Sequence, residues 1–260
     1  MLDKETIETL PNLKMIAITA TGMNNVDLEY AKQKNIVVKN VSGYSTNSVV
    51  EHTFRLVLAL IGKLRYYSEY TQSGSWSKSP IFTHLQKPFF EIANKNWGII
   101  GLGTIGKEVA KIATAFGANV SYYATSGVIH NKEYPHKRLE ELLKNSDIIS
   151  IHAPLNANTQ NLITKDELNL MKRGSVLINV GRGGIVDESA LANAIDNNDL
   201  LVGLDVTKKE PIEEDNLLLK VKNRENLIIT PHIAWGSIES RERLIEGVVK
   251  NIEEFISEHS

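Results

Sequence analysis

The segment "WGIIGLGTIGKEVAKIATAFG", Trp97 to Gly117, constrains the fold of this chain more than any other feature. It contains the three glycines of a G-x-G-x-x-G pattern, Gly101, Gly103 and Gly106. The pattern alone is weak, because glycines cluster in many turns. Here it follows an apolar run typical of a strand and precedes an amphipathic helical pattern. That context predicts a strand, turn and helix that bind a dinucleotide, with the phosphates at the helix N-terminus.

Short β-branched runs alternate with helical patterns along the rest of the chain. They predict strands at Lys14–Thr19, Ile36–Val38, Trp97–Ile100, Val120–Tyr123, Ile148–Ile151, Val176–Asn179, Leu201–Leu204 and Leu227–Ile229. Several are continuous apolar runs, as expected of parallel strands that are buried on both faces. The alternation therefore predicts an α/β protein with a Rossmann-type, doubly wound parallel sheet.

Two longer helical patterns flank this central part. The first, residues 48–67, begins with a capping-box pattern of Ser48 and Glu51. The second, residues 237–256, repeats apolar residues at helical spacing, namely Ile238, Ile245, Val248, Ile252 and Phe255. Each pattern predicts an amphipathic helix whose apolar stripe is buried.

The order of these patterns predicts one domain inserted into another. Residues 91–235 would form the dinucleotide-binding domain. Residues 1–70 and 236–260 would form a smaller, outer domain. Residues 71–90 break the periodicity with serines, glycine and two prolines, which predicts an excursion or a dimer arm between the two.

The composition excludes several classes of protein. The formal net charge is −2, so nothing electrostatic favours nucleic acid or an anionic membrane as a partner. The chain contains no cysteine, which excludes disulfides, thiolate catalysis and cysteine-bound metals, and no metal site is predicted. The most apolar segment, residues 56–61, is too short to span a bilayer. No signal-peptide pattern occupies residues 1–20, so a cytoplasmic location is expected.

Three clusters of ionisable residues follow predicted strands at the sheet edge where doubly wound folds bind ligands. Arg182 follows the strand Val176–Asn179, and His232 follows Leu227–Ile229. Asp205 follows Leu201–Leu204, and Glu210 comes five residues after Asp205. Each group alone could be a surface arginine, a loop acid or a strand-capping histidine. Their convergence beside a nucleotide site favours a catalytic role.

The chemistry of nicotinamide explains this set of residues. Hydride transfer to a carbonyl carbon leaves an oxygen that needs a proton, and a histidine such as His232 is a suitable acid near neutral pH. A carboxylate on its other nitrogen would fix the tautomer and favour the charged form. Arg182 could bind a substrate carboxylate through two hydrogen bonds and polarise the adjacent carbonyl.

Four segments, "GLGTIG", "INVGRGGIVDE", "GLDVTKKEP" and "TPHIAW", resemble the D-isomer-specific 2-hydroxyacid dehydrogenases, and the similarity runs nearly from end to end. "HIAW", in place of the commoner "HIGG", is most similar to the glycerate dehydrogenase and hydroxypyruvate reductase branch. The resemblance implies an NAD(P)-dependent enzyme that interconverts a short 2-oxo acid, such as hydroxypyruvate or glyoxylate, with its D-2-hydroxy acid. It also implies that the outer domain is an N-terminally truncated, flavodoxin-like α/β substrate domain.

The same resemblance implies roles for individual residues. Arg182, Glu210 and His232 take the catalytic positions, and Thr21 and Gly22 match a loop whose amides hold the substrate carboxylate. Asp205 would touch the nicotinamide end of the cofactor. The cofactor would be lined by Gly101, Gly103, Thr104, Ile105, Gly106, Ala124, Thr125, His152, Pro154, Val180, Gly181, Asp205 and Trp235.

The choice between NAD and NADP stays open. The second strand of such a sheet usually ends in an acid that binds the adenine ribose hydroxyls. Here Ala124, Thr125 and Ser126 follow that strand, so nothing repels a 2′-phosphate. No arginine lies nearby in sequence to bind one, and NAD is slightly favoured.

A homodimer is expected because the segment from Gly74 to Phe90 carries aromatic residues outside any helical stripe. These are Trp76, Phe82, Phe89 and Phe90. Related proteins dimerise through their nucleotide-binding domains. A hydrophobic lid that folds back on the same chain is the alternative.

Two other functions compete with the enzyme. One is an NAD(H)-sensing regulator, since one branch of the family acts as a transcriptional corepressor. The other is a catalytically impaired, truncated dehydrogenase, because the resemblance implies that on the order of 45 residues are missing before Lys14–Thr19, given that a βαβ unit takes at least about 30. That strand would then lack a partner and leave Ile16 and Ile18 poorly covered.

Overall fold

The computed structural model describes residues 1–129 and 131–259 of the chain. Its strands are β1 Met15–Ala17, β2 Val37–Lys39, β3 Asn96–Ile100, β4 Asn119–Tyr123, β5 Ile148–Ile151, β6 Val176–Asn179, β7 Leu201–Leu204 and β8 Leu227–Ile229. Its α-helices are α1 Lys4–Glu8, α2 Leu28–Gln33, α3 Thr46–Ile61, α4 Leu64–Gln72, α5 Thr104–Ala115, α6 Leu139–Asn145, α7 Lys165–Leu170, α8 Glu188–Asn197 and α9 Ile238–His259. Short 3-10 helices occupy Trp76–Lys78, Leu217–Lys220 and Arg224–Asn226.

Six strands form one parallel sheet in the order β4-β3-β5-β6-β7-β8. The strands β5, β6 and β7 are buried at every position. Alternate residues face opposite cores: Ile178 packs with residues of α3 and α5, and Leu177 packs with residues of α6, α7 and α8. Helices therefore cover both faces, which confirms the predicted doubly wound α/β class. Strands β5 to β8 have the predicted bounds.

The chain divides into two compact units. The first contains Met1–Ser48 and the segment from Trp235 onwards, and the second is Val49–Ala234. The first boundary differs from the predicted one, which kept residues 1–70 in the outer domain. The difference arises because most of α3 belongs to the core of the second unit, where the ring of Phe54 lies 5.2 Å from that of Trp97.

The helical pattern over residues 48–67 forms two helices instead of one. Helix α3 begins at Thr46, so Ser48 lies inside the first turn and the predicted capping box at Ser48 is wrong. Helix α3 ends at Ile61, and Lys63 adopts a left-handed conformation with φ of +50° before α4 begins. The amine of Lys63 binds Asn226 Oδ1 at 3.1 Å. Gly62 and this tertiary contact stop the helix where the apolar periodicity alone would continue it.

In the first unit, β1 and β2 form a two-stranded parallel sheet. Ile16 and Ile18 are buried, with 7% and 5% exposure, and they pack with Val26 and Tyr30. The prediction that this strand has no partner and that these two isoleucines are poorly covered is therefore wrong. Strand β1 pairs with β2, and residues of α1 and α2 pack on the two isoleucines and bury them.

Helix α9 packs on the rest of the first unit through a face that holds only part of the predicted stripe. Val248 and Phe255 are half-buried, but Ile238, Ile245 and Ile252 are exposed, whereas Ser240 and Leu244 are buried. A Cβ on Gly247 would lie 2.5 Å from Val41 Cγ1. Small residues of α9, Ser240 and Gly247, therefore allow it to pack closely on the rest of the first unit. A search for apolar stripes does not detect such residues.

No helix within residues 1–129 and 131–259 is long and apolar enough to cross a membrane.

Candidate active site

The loop after β3 joins the large sheet to α5 and carries the glycine pattern. Helix α5 begins at Thr104, directly after Gly103. The first N–H groups of a helix, here those of Thr104 and Ile105, have no acceptor within it and lie at its positive end. They are placed to bind phosphate.

The glycines of this loop provide both the close packing and the open space that a pyrophosphate needs. A Cβ on Gly106 would lie 2.2 Å from the Gly101 carbonyl oxygen, so only glycine lets α5 pack this closely on the loop. A Cβ on Gly103 would meet no described atom within 4 Å. The backbone at Gly103 is therefore accessible, and these residues fit a dinucleotide.

Two predicted adenosine-binding segments flank the glycine loop, because β3 lies between β4 and β5 in the sheet. Ala124 is buried and Thr125 is half-buried just after β4. His152 and Pro154 follow β5, and a Cβ on Gly101 would lie 3.0 Å from the nitrogen of Ala153 between them. The topology therefore brings the predicted adenosine residues to one edge of the sheet.

His152 is half-buried as a residue, and both nitrogens of its ring are buried. Among the described residues, neither ring nitrogen has a hydrogen-bond partner. Burial lowers the pKa of His152 to about 3. The ring is therefore neutral near pH 7.

We expect His152 to make the fold sensitive to acid. Its pKa is about 6.5 in the unfolded chain and about 3 in the folded one. Between these values the unfolded state binds more protons. Above about pH 6.5, protonation of His152 does not reduce the free energy of unfolding. As the pH falls from there towards 3, the free energy of unfolding declines by roughly 1.4 kcal/mol per pH unit.

The variant His152→Phe should remove this part of the pH dependence. Urea unfolding at about pH 7.5 and about pH 5 measures it, and wild-type protein should lose roughly 2 kcal/mol more than the variant. His259→Phe, which changes an exposed histidine in the last turn of α9, is the control. Equal losses in wild-type protein and His152→Phe would contradict the expectation.

Arg182 lies in the loop after β6. A Cβ on Gly183 would lie 1.9 Å from the carbonyl oxygen of Thr207, in the loop after β7, so the two loops meet in a contact that only glycine permits. The Nη1 of Arg182 donates to the Gly181 carbonyl at 2.8 Å. Arg182 is half-buried.

Asn179, which the sequence analysis did not select, holds the Arg182 loop. It is the last residue of β6 and is 2% exposed. Its side-chain amide donates to the Arg182 carbonyl at 2.9 Å, and its Oδ1 accepts from the Gly181 N–H at 3.1 Å. An asparagine that ends a buried apolar strand was the available signal, because a buried amide needs such partners.

His232 and Glu210 are in direct contact. The Nδ1 of His232 lies 2.7 Å from Glu210 Oε2, and the two side chains are 40% and 38% exposed. The other oxygen, Oε1, accepts from the N–H of Thr207 at 3.1 Å. A carboxylate that accepts from Nδ1–H leaves Nε2 as the ring atom that can exchange a proton with a ligand.

His232 itself has a left-handed backbone, with φ of +54°, a conformation that is uncommon for residues other than glycine. The Asp205 carboxylate stabilises the two residues that follow His232. Its Oδ1 accepts from the Ile233 N–H at 2.9 Å, and its Oδ2 accepts from the Ala234 N–H at 2.8 Å. The Asp205 side chain is completely buried. Its predicted contact with the nicotinamide end of the cofactor stays a prediction.

The carboxyl ends of β6, β7 and β8 are neighbours in the sheet. Arg182, Glu210 and His232 therefore project from adjacent loops at one edge of the second unit, and Val180, which is buried, directly follows β6. Thr21, Gly22 and Trp235 lie in the first unit. Trp235 packs edge to face on Tyr44 there, with 6.3 Å between ring centroids. The roles of these three in ligand binding stay predictions.

Comparison with known proteins gives the family. The family model described as "D-isomer specific 2-hydroxyacid dehydrogenase, NAD binding domain" matches residues 54–234. The glycerate dehydrogenase of Methylorubrum extorquens is 38% identical over 257 residues, which cover 97% of this chain and 79% of that protein. The hydroxypyruvate reductase of Blautia hydrogenotrophica is 37% identical over 258 residues, covering 98% and 79%.

Solved structures agree. The D-lactate dehydrogenase of Aquifex aeolicus, complexed with NAD and lactic acid, has a TM-score of 0.85 and 33% identity, covering 98% of this chain and 80% of that chain. An acyclic imino acid reductase in complex with NADPH and D-arginine has a TM-score of 0.86 and 35% identity, covering 99% and 80%. The predicted family, its branch and its dinucleotide cofactor are confirmed.

Proposed function

Because the chain belongs to the D-isomer-specific 2-hydroxyacid dehydrogenase family, we propose that it interconverts a short 2-oxo acid with its D-2-hydroxy acid. Hydroxypyruvate and glyoxylate are the proposed substrates, since relatives are named hydroxypyruvate reductase and glyoxylate reductase. The observation that carries the proposal is the 2.7 Å contact between His232 Nδ1 and Glu210 Oε2, at the ligand-binding edge of a dinucleotide-binding sheet.

His232 is the proposed general acid and base. With Nδ1–H donated to Glu210, the proton on Nε2 passes to the carbonyl oxygen as the substrate becomes the hydroxy acid, and it returns to Nε2 in the reverse direction. Glu210 fixes the tautomer, and its second oxygen is held by the Thr207 N–H. The bound cofactor, NAD(H) or NADP(H), exchanges the hydride at the carbonyl carbon.

Arg182 is the proposed anchor for the substrate. A guanidinium can bind the substrate carboxylate with two parallel hydrogen bonds and stabilise negative charge on the adjacent carbonyl oxygen. Asn179 and the Gly181 carbonyl limit the movement of the loop and of the side chain. Thr21 and Gly22 are proposed to bind the substrate carboxylate through their backbone amides.

Oxidation of NADH and NADPH, followed at 340 nm with hydroxypyruvate, glyoxylate and pyruvate, tests the proposal. We expect turnover with the first two substrates and a weaker rate with pyruvate. Tight NADH binding without turnover of any 2-oxo acid would favour the alternative functions, an NAD(H)-sensing regulator or an impaired dehydrogenase. The ratio of the two cofactor rates also decides between NAD and NADP.

We further propose that the chain forms a homodimer through the aromatic surface of residues 74–90. Phe82 is 89% exposed, and Trp76, Phe89 and Phe90 are also exposed. Ile81 and Leu85 of the same segment are exposed as well. Several exposed aromatic and apolar residues within one segment usually mark an interface.

Light scattering at micromolar concentration should give twice the mass of one chain. The double variant Ile81→Ser with Phe82→Ser should shift the equilibrium at least about tenfold towards monomer, because it removes apolar area from the interface. Leu217→Ser, a change at an exposed leucine elsewhere, should leave the mass unchanged. A monomeric wild-type protein would contradict the proposal.

A further inference from the structure

A buried histidine on α3 has no part in the chemistry described above. His52 is 6% exposed, and its Nε2 lies 3.0 Å from the hydroxyl oxygen of Thr230. That hydroxyl lies 2.6 Å from Asp205 Oδ1. His52, Thr230 and Asp205 therefore form a continuous hydrogen-bonded row inside the second unit. The row ends at the Asp205 carboxylate, which binds the backbone directly after His232.

The direction of the hydrogen bonds in this row follows from its chemistry. The Asp205 carboxylate can only accept, as it does from two backbone N–H groups, so the Thr230 hydroxyl donates to it. The Thr230 oxygen must then accept from His52, which requires the tautomer with a proton on Nε2.

His52 takes part as a neutral ring. Burial lowers the pKa of His52, and this outweighs the opposite effect of the Asp205 carboxylate, although Nε2 lies only 3.6 Å from Asp205 Oδ1. Hydrogen bonding, and not an ion pair, therefore holds His52 to the Asp205 site.

Asp205 is bonded to three consecutive backbone N–H groups. Its carbonyl oxygen accepts from His232 N–H at 2.9 Å, and its carboxylate accepts from the next two residues, Ile233 and Ala234. These bonds hold the segment whose first residue has the left-handed φ of +54°. Such a conformation persists only where the surroundings enforce it.

We propose that His52 and Thr230 are positioning residues for the reaction. Through Asp205 they hold the backbone of residues 232–234 in the conformation that brings the His232 ring to Glu210. Neither residue needs to touch the substrate or the cofactor. The catalytic half of this proposal rests on the proposed function, whereas the hydrogen-bonded row does not.

Four variants test the row by its kinetics. His52→Leu and Thr230→Val each remove one link while keeping an apolar shape. Each should lower kcat about tenfold, because it leaves a buried polar partner without its hydrogen bond. KM and the NADH dissociation constant, from fluorescence titration, should change less than about twofold. The double variant should resemble either single one, because the row is already broken. His52→Gln, whose side-chain amide can donate, should recover most of kcat.

Thr53→Val is the matched control. Thr53 is the next residue on α3, is completely buried, and donates its hydroxyl to the Val49 carbonyl. It should keep the wild-type kcat. Additive losses in the double variant, or no recovery with His52→Gln, would overturn the proposal. If His52→Leu does not fold, Thr230→Val with Thr230→Ser, which keeps the hydroxyl, makes the same comparison.

Amide hydrogen exchange separates the row from the activity. The Ile233 and Ala234 amides should exchange at least about tenfold faster in Thr230→Val and His52→Leu than in the wild-type protein. Their exchange rates should be unchanged in Thr53→Val. Unchanged exchange in all variants would refute the row. Faster exchange in a protein that reduces no 2-oxo acid would support the row and refute the proposed function.

Discussion

Replacement of His232 by asparagine or alanine is expected to lower kcat for hydroxypyruvate reduction by about 100- to 10,000-fold, the usual contribution of general acid–base catalysis. The reason is the contact of Nδ1 with Glu210, which leaves Nε2 as the proton donor. Asparagine is the sharper variant, because it tolerates the left-handed backbone that His232 adopts better than alanine does. Steady-state kinetics measures kcat, and fluorescence titration measures NADH binding.

Cofactor binding should be nearly unchanged in both variants, because the glycine loop that receives the phosphates follows β3 and the substituted residue follows β8. His259→Ala, at the exposed end of α9, is the control and should keep full activity. A His232→Asn enzyme that retains most of its kcat would make His232 a structural residue that only packs beside Glu210.

Replacement of Arg182 by lysine is expected to lower kcat/KM for a 2-oxo acid by about 10- to 100-fold. An ammonium keeps the charge but cannot form the planar pair of hydrogen bonds that a guanidinium makes with a carboxylate, and one hydrogen bond to a charged group is worth roughly 1.5–3 kcal/mol. The effect should fall mainly on substrate use, with the NADH dissociation constant nearly unchanged. Initial rates over a range of hydroxypyruvate concentrations measure it.

Arg173→Lys provides the matched control. Arg173 is a surface arginine whose side chain pairs with Asp199 at 2.6 Å and is 75% exposed. Exposed pairs of this kind contribute little, so the control should keep the wild-type kcat/KM. An Arg182→Lys enzyme with unchanged kcat/KM would show that Arg182 does not anchor the substrate.

The elements of the large sheet follow from local sequence patterns. Largely apolar runs predict β5 to β8 at their observed bounds, and β5, β6 and β7 are buried at every position, as parallel strands covered on both faces are. The ends of the helices are harder to predict. Helix α3 ends earlier than its apolar periodicity predicts, partly because Lys63 binds Asn226. These two residues are far apart in sequence, so no local pattern shows their contact.

The packing face of α9 is a second example. Apolar spacing predicted a buried stripe, but Ile245 and Ile252 are exposed and Gly247 meets Val41. Hydrophobicity predicts which residues prefer burial, whereas the close approach of α9 to the Val41 side chain depends on the absence of a side chain at Gly247. That information becomes visible only when both surfaces are known.

The sequence by itself determined the α/β class, the dinucleotide loop and the candidates Arg182, Glu210 and His232, because each depends on residue types at short spacings. Only the tertiary structure decided which groups meet. Glu210 reaches His232 across 22 residues and His52 reaches Thr230 across 178. Such pairs depend on the strand order β6-β7-β8 and on the packing of α3 against the sheet, and hydrogen bonds of a few ångströms form only after that packing is complete.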